Sequence, residues 1–392
     1  MPGGPGRRTV RLGVIGARGQ GGFYAGLIER GRVPHMTLGA LSGREATAGF
    51  AHERFPHVPF HDNVEGLLDS GDVDAVVTTV PHYLHAEVAQ AAIERGIHVL
   101  VEKPLGVYTQ QVSRLLSAAA ARPEVVVGAM FNMRANPLWS RLKRVIDSGE
   151  IGRLRRGTWI ITTWYRPQRY YDKDAWRGTW GGEGGGVLIN QAAHQMDLWQ
   201  WLCGMPASVF AKVPFGFAHD IDVDDDVTAV LNYGREGTGV FITATHDMMG
   251  VDRLEILGEQ GKILVEDSQR ATITRLHKPM REYSSAMDDE TIGRIIHGDV
   301  DWGEFATTEL VQGTPTYGVN HVEVLENFAR AILYGEPLLA PVADGMNAVR
   351  LSNAIILSGW LGREVPVDFD EDLFLDELNR HIRDEGRYPE RR

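Results

Sequence analysis

The first 130 residues alternate between short apolar segments and helical segments, and this alternation restricts the fold more than any other feature of the chain. Residues 74–80, which read DAVVTTV, are almost wholly apolar and β-branched, as is typical of a strand buried on both faces. Strands that alternate with helices form right-handed βαβ units and a parallel sheet, the content of a doubly wound dinucleotide-binding domain. The predicted strands cover residues 9–15, 36–41, 58–61, 74–80, 97–101 and 125–130.

The pattern changes after residue 130. Several strands follow one another between residues 207 and 275 with little helix between them, which favours an antiparallel sheet. Helical patterns return at residues 320–334 and 346–361. We therefore predict an N-terminal parallel α/β domain over residues 1–130, with a flexible tail at 1–8, and a C-terminal α+β domain over residues 131–392.

A glycine-rich turn, GARGQG at residues 16–21, follows the first predicted strand. A dinucleotide-binding turn needs one glycine for the tight turn, a second for close approach to the pyrophosphate and a third for helix packing. Gly16 and Gly21 fit the first and third places, while Arg18 occupies the second with Gly19 beside it. Either the turn is shifted by one residue or Arg18 adds positive charge near the phosphates; an ordinary glycine turn is the alternative without a ligand.

The end of the second strand favours NADP over NAD. It reads Ser42-Gly43-Arg44, with no carboxylate until Glu45. A hydroxyl and a guanidinium suit a ribose 2′-phosphate better than a carboxylate would. The alternative is that Arg44 is a solvated residue in the first turn of the next helix.

Lys103 lies at the carboxyl end of the fifth predicted strand, in Glu102-Lys103-Pro104. Ligands of open α/β sheets bind outside these strand ends. A half-buried lysine there has a lowered pKa and can hydrogen-bond a substrate hydroxyl. A surface lysine at a strand exit is the alternative.

Six stretches together resemble the Gfo/Idh/MocA family, named for glucose–fructose oxidoreductase, inositol dehydrogenase and a rhizopine-catabolism protein. They are the turn at 16–21, DAVVTTVPHYLH at 74–85, GIHVLVEKP at 96–104, SGEIG at 148–152, GGVLINQAAHQMD at 185–197 and NFARAILYG at 327–335. The resemblance covers nearly the whole chain from about Arg11 to Phe374. It implies an N-terminal Rossmann domain and a C-terminal domain with a large, mostly antiparallel sheet whose open face serves oligomerisation. It also implies a nicotinamide cofactor and a sugar, inositol or related polyol substrate.

The resemblance implies that Lys103 and His194 act on the substrate hydroxyl, with His194 as the acid/base. Asn190 can cap the helix that contains His194, four residues later on the same face. Many members of the family carry Asp where this chain has Asn190, so a carboxylate that raises the pKa of His194 is in doubt. The predicted cofactor contacts are Gly16, Arg18, Gly19, Gln20, Gly21, Ser42, Gly43, Arg44, Val80, Pro81, His82, His85, Glu102, Lys103 and Arg134.

A loop rich in aromatic and arginine residues, at 164–177, is read as a substrate wall. Aromatic rings stack on sugar faces, and arginine donates to hydroxyls or to a carboxylate. A packed subunit interface is the alternative. The predicted substrate contacts are Lys103, Arg134, Trp164, Arg166, Tyr171, Trp176, Arg177, Asn190, His194 and Tyr317.

Composition excludes several other classes. The 40 basic and 52 acidic residues give a net charge of −12, which disfavours nucleic acid as the main partner. No apolar run is long enough to span a bilayer, the start lacks a secretory signal, and Cys203 stands alone, so we expect a soluble cytoplasmic protein. Asp222, Asp224 and Asp226 alternate, but the glycine and glutamate of a calcium loop are missing, so we predict a solvated strand edge and no metal.

We therefore predict an NAD(P)-dependent oxidoreductase that acts on a secondary alcohol of a sugar, inositol or glycoside, as a homodimer or homotetramer formed through the C-terminal sheet. A second interpretation is a glycoside-cleaving enzyme that oxidises its substrate transiently with a tightly held NAD. A third is a non-catalytic regulator that binds NAD(P), although the presence of both Lys103 and His194 argues against it.

Overall fold

In a computed structural model, which describes residues 8–314 and 318–392, the chain forms two β-sheets. One is six-stranded and parallel, and the other is nine-stranded and mostly antiparallel. This confirms the predicted fold class. The predicted tail at residues 1–8 lies, except for Arg8, outside the described residues.

The first sheet has the strand order β3-β2-β1-β4-β5-β6. Its order reverses between β1 and β4, and the crevice at such a point is where an open α/β sheet binds its ligand. The strands are β1 Val10–Ile15, β2 Met36–Ser42, β3 Phe60–His61, β4 Ala75–Thr78, β5 His98–Val101 and β6 Val127–Ala129. The helices are α1 Gln20–Glu29, α2 Ala48–Arg54, α3 Val64–Leu68, α4 His85–Glu94 and α5 Thr109–Ala121.

The second sheet has the order β14-β13-β12-β11-β7-β10-β9-β8-β15, and β7 and β10 form its one parallel pair within the described residues. The strands are β7 Leu154–Ile161, β8 Ser208–Lys212, β9 Asp226–Asn232, β10 Thr238–Ala244, β11 Asp252–Gly258, β12 Gly261–Glu266, β13 Arg270–Leu276, β14 Ala306–Gln312 and β15 Val365–Pro366. The helices are α6 Pro137–Asp147, α7 Gln168–Asp172, α8 Ala193–Cys203, α9 Met280–Ala286, α10 Asp289–His297, α11 Val319–Tyr334, α12 Val342–Leu361 and α13 Glu371–Glu385.

Within the described residues, helices cover one face of the second sheet and leave the other open. Trp199 of α8 packs against the covered face where Gly239 carries no side chain: a Cβ there would lie 2.6 Å from the indole. Buried and accessible residues therefore alternate along the strands, as in β9. On the open face, Phe210 and Val230 are 50% and 42% exposed.

The two sheets are joined by one continuous hydrophobic core. Residues of β5 and of β7 belong to the same buried cluster. Helix α12 contacts both α5, beside the first sheet, and α8, beneath the second. The backbone N–H of Ala129 at the end of β6 donates to the carbonyl of Ala340, 2.9 Å away. The beginning of α8 is thus held close to the carboxyl ends of the parallel strands.

Within the ranges that the structure describes, no helix combines the length and the apolar character needed to cross a membrane.

Candidate active site

The glycine turn has the geometry that a dinucleotide requires. The amide N–H groups of Gly16 and Ala17 donate to the carbonyl of Ser42, at 2.9 and 3.1 Å. A Cβ on Gly16 would lie 2.4 Å from the carbonyl oxygen of Thr79, and one on Gly21 would lie 1.9 Å from that of Gly16. Both glycines are therefore required by packing within the protein.

Gly19 differs, because nothing lies within 4 Å of the Cβ it would carry. It has φ +55° and is the residue before α1, so its open side faces the start of that helix. A helix N-terminus with free space in front of its amides suits a pyrophosphate. This arrangement favours the turn shifted by one residue. The guanidinium of Arg18 is also exposed, 5.5 Å from the ring centre of Phe50, and is free to meet the phosphates.

At the end of β2, Arg44 stays a predicted contact, and the prediction for Ser42 is corrected. Arg44 is exposed and forms no ion pair with any described residue. Ser42 is only 1% exposed, and its hydroxyl is buried without a hydrogen-bond partner among the described residues. The prediction that its hydroxyl binds the ribose phosphate is therefore wrong, and Ser42 acts through its carbonyl, which fixes the glycine turn.

Ten of the predicted site residues line a single cavity of about 650 Å³. It runs from the start of α1, past the ends of β4 and β5, to the start of α8. The predicted residues on its wall are Gln20, Val80, His82, His85, Glu102, Lys103, Trp164, Arg166, Asn190 and His194. The other residues on the wall are Thr79, Met130, Asn132, Met133, Gln191 and His321, of which the sequence had pointed to His321 alone.

Lys103 reaches into this cavity from the end of β5. Its Nζ donates to the backbone carbonyl of Asn190 at 2.9 Å. Burial lowers the pKa of Lys103, and the carboxylates of Glu102 and Glu183 oppose that shift. The ammonium keeps two further N–H donors for a ligand.

His194 enters the cavity from the first turn of α8. Its Nδ1 is buried without a hydrogen-bond partner among the described residues, which leaves Nε2 as the nitrogen that can exchange a proton across the cavity. Burial, and then the charges of Lys103 and His321, lower the pKa of His194 well below 6.5. The imidazole is therefore neutral near pH 7, which is the state of a base.

The remaining walls are held rigidly. The two ring nitrogens of His85 lie 2.6 and 2.7 Å from the carbonyl oxygens of Pro104 and Val80. Glu102 accepts from the hydroxyl of Tyr24 and, at 2.9 Å, from the backbone N–H of Lys103. Burial raises the pKa of Glu102. These contacts fix the strand end from which Lys103 projects.

Sequence reasoning missed Glu183, a buried carboxylate behind the cavity. Its Oε2 accepts from the backbone N–H of Gly178 at 2.7 Å, and its Oε1 accepts from Nδ2 of Asn190 at 2.5 Å. Glu183 thus holds the residue whose carbonyl binds Lys103, and its charge raises the pKa of Lys103. The one available signal was an acidic residue inside the glycine-rich stretch 181–186.

Glu183→Gln is expected to move the alkaline limb of the kcat/KM profile to lower pH. The amide keeps the size of the carboxylate, and its oxygen can still accept from the backbone N–H of Gly178. It removes a charge that stabilises protonated Lys103. The pKa of Lys103 therefore falls, and the donor is lost at a lower pH. Glu385→Gln is the control, because Glu385 holds the same loop through the backbone N–H groups of Trp180 and Gly181 and is not among the causes of the pKa shift of Lys103. An unchanged limb in Glu183→Gln would contradict this positioning role.

Arg134 does not bind cofactor or substrate, contrary to the prediction. Only 1% of its side chain is exposed. Its Nε and Nη2 donate to Asp197 at 2.9 and 2.6 Å, and its Nη1 donates to Asp344 at 2.6 Å. These ion pairs occupy the guanidinium and connect the segment after β6 to α8 and α12.

Three residues of the aromatic loop also lie outside the cavity wall. Tyr171 is buried, and its hydroxyl donates to Thr245 at 3.0 Å. Trp176 stands behind the wall with its ring centre 6.2 Å from that of His82. Arg177 is paired with Asp174 at 3.2 Å. Tyr317, the last predicted substrate contact, lies outside the described residues.

Two local predictions are corrected as well. Helix α8 begins after Ala192, so Asn190 does not cap it, because its side chain is bound to Glu183. Asp224 is not at a solvated edge: it is fully buried and accepts from the backbone N–H groups of Gly186 and Leu188 at 2.7 and 2.8 Å. Burial raises the pKa of Asp224 to about 7. No cluster of three metal-binding side chains occurs among the residues described.

Comparison with family models matches both parts of the chain. Residues 10–130 match the oxidoreductase family with an NAD-binding Rossmann fold, and residues 139–264 match the GFO/IDH/MocA C-terminal domain. Together the two matches span more than half of the 392 residues.

Individual relatives are more distant. The chain is 34% identical over 146 residues to 1-carboxy-3-chloro-3,4-dihydroxycyclohexa-1,5-diene dehydrogenase of Comamonas testosteroni, which is 37% of this chain and 35% of that protein. The chain thus spans about a third of this relative's length. It is 25% identical to levoglucosan dehydrogenase of Pseudarthrobacter phenanthrenivorans, over 79% of this chain and 84% of that one.

Among solved structures, the WlbA dehydrogenase of Bordetella pertussis, determined with NADH and UDP-GlcNAcA, has a TM-score of 0.70 at 24% identity. The likeness covers 93% of this chain and 100% of that one, and it shows a shared fold.

Proposed function

This chain belongs to the Gfo/Idh/MocA oxidoreductase family, and on that premise we propose that it is a nicotinamide-dependent dehydrogenase. Its substrate is a secondary alcohol of a sugar, cyclitol or glycoside, or the corresponding ketone. One observation carries this proposal. A lysine from the end of β5 and a histidine from the start of α8 line the same cavity, which also begins at the glycine turn.

The residues present fit a dinucleotide. Gly19 and the N-terminus of α1 would receive the pyrophosphate, with Arg18 beside it. Gln20, Val80, His82 and His85 line the part of the cavity between that turn and Lys103 and would border the nicotinamide. The bound cofactor supplies the hydride acceptor or donor.

The proton is handled by the chain itself. During oxidation, neutral His194 accepts the hydroxyl proton through Nε2, and during reduction it returns that proton. Lys103 donates a hydrogen bond to the same oxygen and stabilises the negative charge that develops there. The carbonyl of Asn190, held by Glu183, directs the ammonium. Relatives named for levoglucosan and inositol support the alcohol class.

A cofactor-reduction screen tests this function. The purified protein is given NAD or NADP with a panel of sugars, cyclitols and glycosides, and nicotinamide absorbance is followed. Reduction with at least one member of the panel is expected. Cleavage of a glycoside without net reduction would replace this proposal by the glycoside-cleaving enzyme, and tight cofactor binding without any turnover would favour the regulator.

We also propose a preference for NADP, which the free charge of Arg44 supports. Arg44→Ala is expected to raise KM for NADP roughly tenfold and to leave KM for NAD nearly unchanged, because one charge-assisted contact to the 2′-phosphate is lost. Arg54→Ala is the matched control, since Arg54 is also exposed and lies on α2. Equal effects on both cofactors would contradict the assignment.

For assembly, we propose a homodimer or homotetramer formed through the open face of the second sheet. Exposed apolar side chains support it: Phe210 on β8 lies opposite Val230 on the neighbouring β9, and Leu310 on β14, at the other end of the sheet, is 67% exposed. An apolar face of this kind is typical of a surface that another subunit covers.

A further inference from the structure

We propose that the substrate carries a carboxylate and that Arg166 binds it. The inference rests on the proposed dehydrogenase and adds the chemical class of its substrate: a carboxylated sugar or cyclitol. Its basis is a half-buried guanidinium on the wall of the active-site cavity that has no acidic partner among the described residues.

The backbone of Arg166 is fixed on both sides. Its N–H donates to the carbonyl of Thr245 at 2.7 Å, and its own carbonyl lies 2.8 Å from Nε2 of His219. The other ring nitrogen of His219 lies 2.9 Å from the buried carboxylate of Asp225. Arg166 is therefore positioned by the second sheet, although it lies on a loop.

The side chain is oriented as well. Its Nη1 donates to the carbonyl oxygens of Trp164 and Tyr165 at 3.2 and 2.9 Å. The guanidinium lies 5.2 Å from the ring centre of Tyr170. No described residue accepts a hydrogen bond from Nε or Nη2. A guanidinium held in this way binds a carboxylate through two parallel N–H groups at little entropic cost.

Its neighbour Arg177, by contrast, has a purely structural role, because its charge is paired within the protein. Arg177 pairs with Asp174 at 3.2 Å and lies 4.4 Å from the ring centres of both Tyr170 and Trp176. Arg166 contacts the same Tyr170, but its charge is not paired with any described carboxylate. A half-buried charge without a counter-charge is unfavourable in the free protein, and a ligand anion removes that cost.

No acidic side chain on the cavity wall is paired with Arg166 among the described residues. Glu102 is the single acidic side chain among its described lining residues, and its two oxygens already accept from Tyr24 and from the backbone of Lys103. Lys103 is a second cation on the wall, and the charge of Arg166 is one cause, after burial, of its lowered pKa. The cavity thus has Lys103 and His194 for a substrate hydroxyl, and separately the guanidinium of Arg166 for an anion.

A carboxylate fits this site better than a phosphate. One guanidinium edge supplies two N–H donors, which match the two oxygens of a carboxylate. A phosphate monoester carries close to two charges and three oxygens and would leave one of them without a donor at this site. Because Arg166, Lys103 and His194 line the same cavity, one bound substrate can present its hydroxyl to Lys103 and His194 and its carboxylate to Arg166.

Binding of matched probes to the protein loaded with reduced cofactor tests the inference without requiring turnover. Isothermal titration compares D-glucuronate with D-glucose and D-galacturonate with D-galactose. At least one acid is expected to bind roughly 10- to 100-fold more tightly than its neutral partner. Arg166→Gln should abolish the difference between acid and neutral sugar, and Arg166→Lys should retain part of it.

Arg169→Gln is the matched control, because Arg169 is an exposed arginine three residues away and should keep the full preference. No preference for the acid in either pair, or a preference that survives Arg166→Gln, would overturn the inference. Tighter, Arg166-dependent binding of glucose 6-phosphate than of either uronate would overturn it in favour of a phosphate.

The two levels of the proposal can fail separately. Cofactor reduction by neutral sugars without any preference for acids would support the proposed dehydrogenase and contradict the carboxylate site. Arg166-dependent binding of a uronate without cofactor reduction by any alcohol would support the carboxylate site and contradict the proposed dehydrogenase.

Discussion

Lys103→Met is expected to lower kcat by roughly 10²- to 10³-fold, the cost of removing one donor that stabilises developing negative charge. Methionine fills a similar volume but supplies no proton and no charge. The ammonium of Lys103 is directed by the carbonyl of Asn190 at 2.9 Å, so the lost hydrogen bond is a preorganised one. Steady-state rates and cofactor titration measure the effect, and the Kd of the cofactor should change less than threefold.

The control for this variant is Lys173→Met, which removes an exposed lysine from the loop beside the cavity. Its kcat should equal that of the unmodified protein. Wild-type turnover in Lys103→Met, with the fold intact, would mean that Lys103 does not touch the reacting oxygen.

The first sheet could be predicted because each of its strands and helices has a recognisable pattern within a short stretch of the sequence. Each strand is a short apolar run, each helix follows within a few residues, and the handedness of βαβ units then leaves few strand orders. All six predicted strands are present, with ends that differ by up to two residues. The mostly antiparallel character of the second sheet was also predicted, but the parallel pairing of β7 with β10, about 80 residues apart, has no local pattern. The division into domains after residue 130 stays a prediction.

The errors share one physical cause, which is that partners of buried polar groups are distant in sequence. Arg134 looked available because Asp344, which binds it, lies 210 residues away. Asp224 looked solvated because the amides that it accepts from, at Gly186 and Leu188, belong to another segment. In both cases an ionisable residue that appeared free for function is occupied by long-range structure.

Glu183 illustrates the opposite case, in which a functional contribution was hidden. From the sequence, Asn190 looked like the loss of a carboxylate that the family resemblance implies at this position. The structure shows a carboxylate seven residues earlier that is bound to the Asn190 side chain. A negative charge is therefore retained near Lys103 but comes from a different residue, which the local pattern could not indicate.

His194→Gln is expected to lower kcat for alcohol oxidation by roughly 10²- to 10⁴-fold, the usual contribution of a general base. Glutamine is close in size and can hydrogen-bond the substrate hydroxyl, but it cannot accept the proton. Steady-state oxidation rates measure the loss. His57→Gln, which changes an exposed histidine far from the cavity, is the control and should retain full activity.

The pH profile separates this role from a structural one. The pKa of His194 lies well below 6.5, so the imidazole is neutral above that pH and becomes protonated only in more acidic solution. Oxidation should therefore keep a level kcat/KM through pH 6.5 and decline only in distinctly more acidic solution, where the ring becomes protonated and can no longer accept a proton. In His194→Gln the titrating group is gone, so the residual activity should show no decline from this source. A decline that persists at the same pH in the variant would assign the acid limb to another group and remove His194 from the proton transfer.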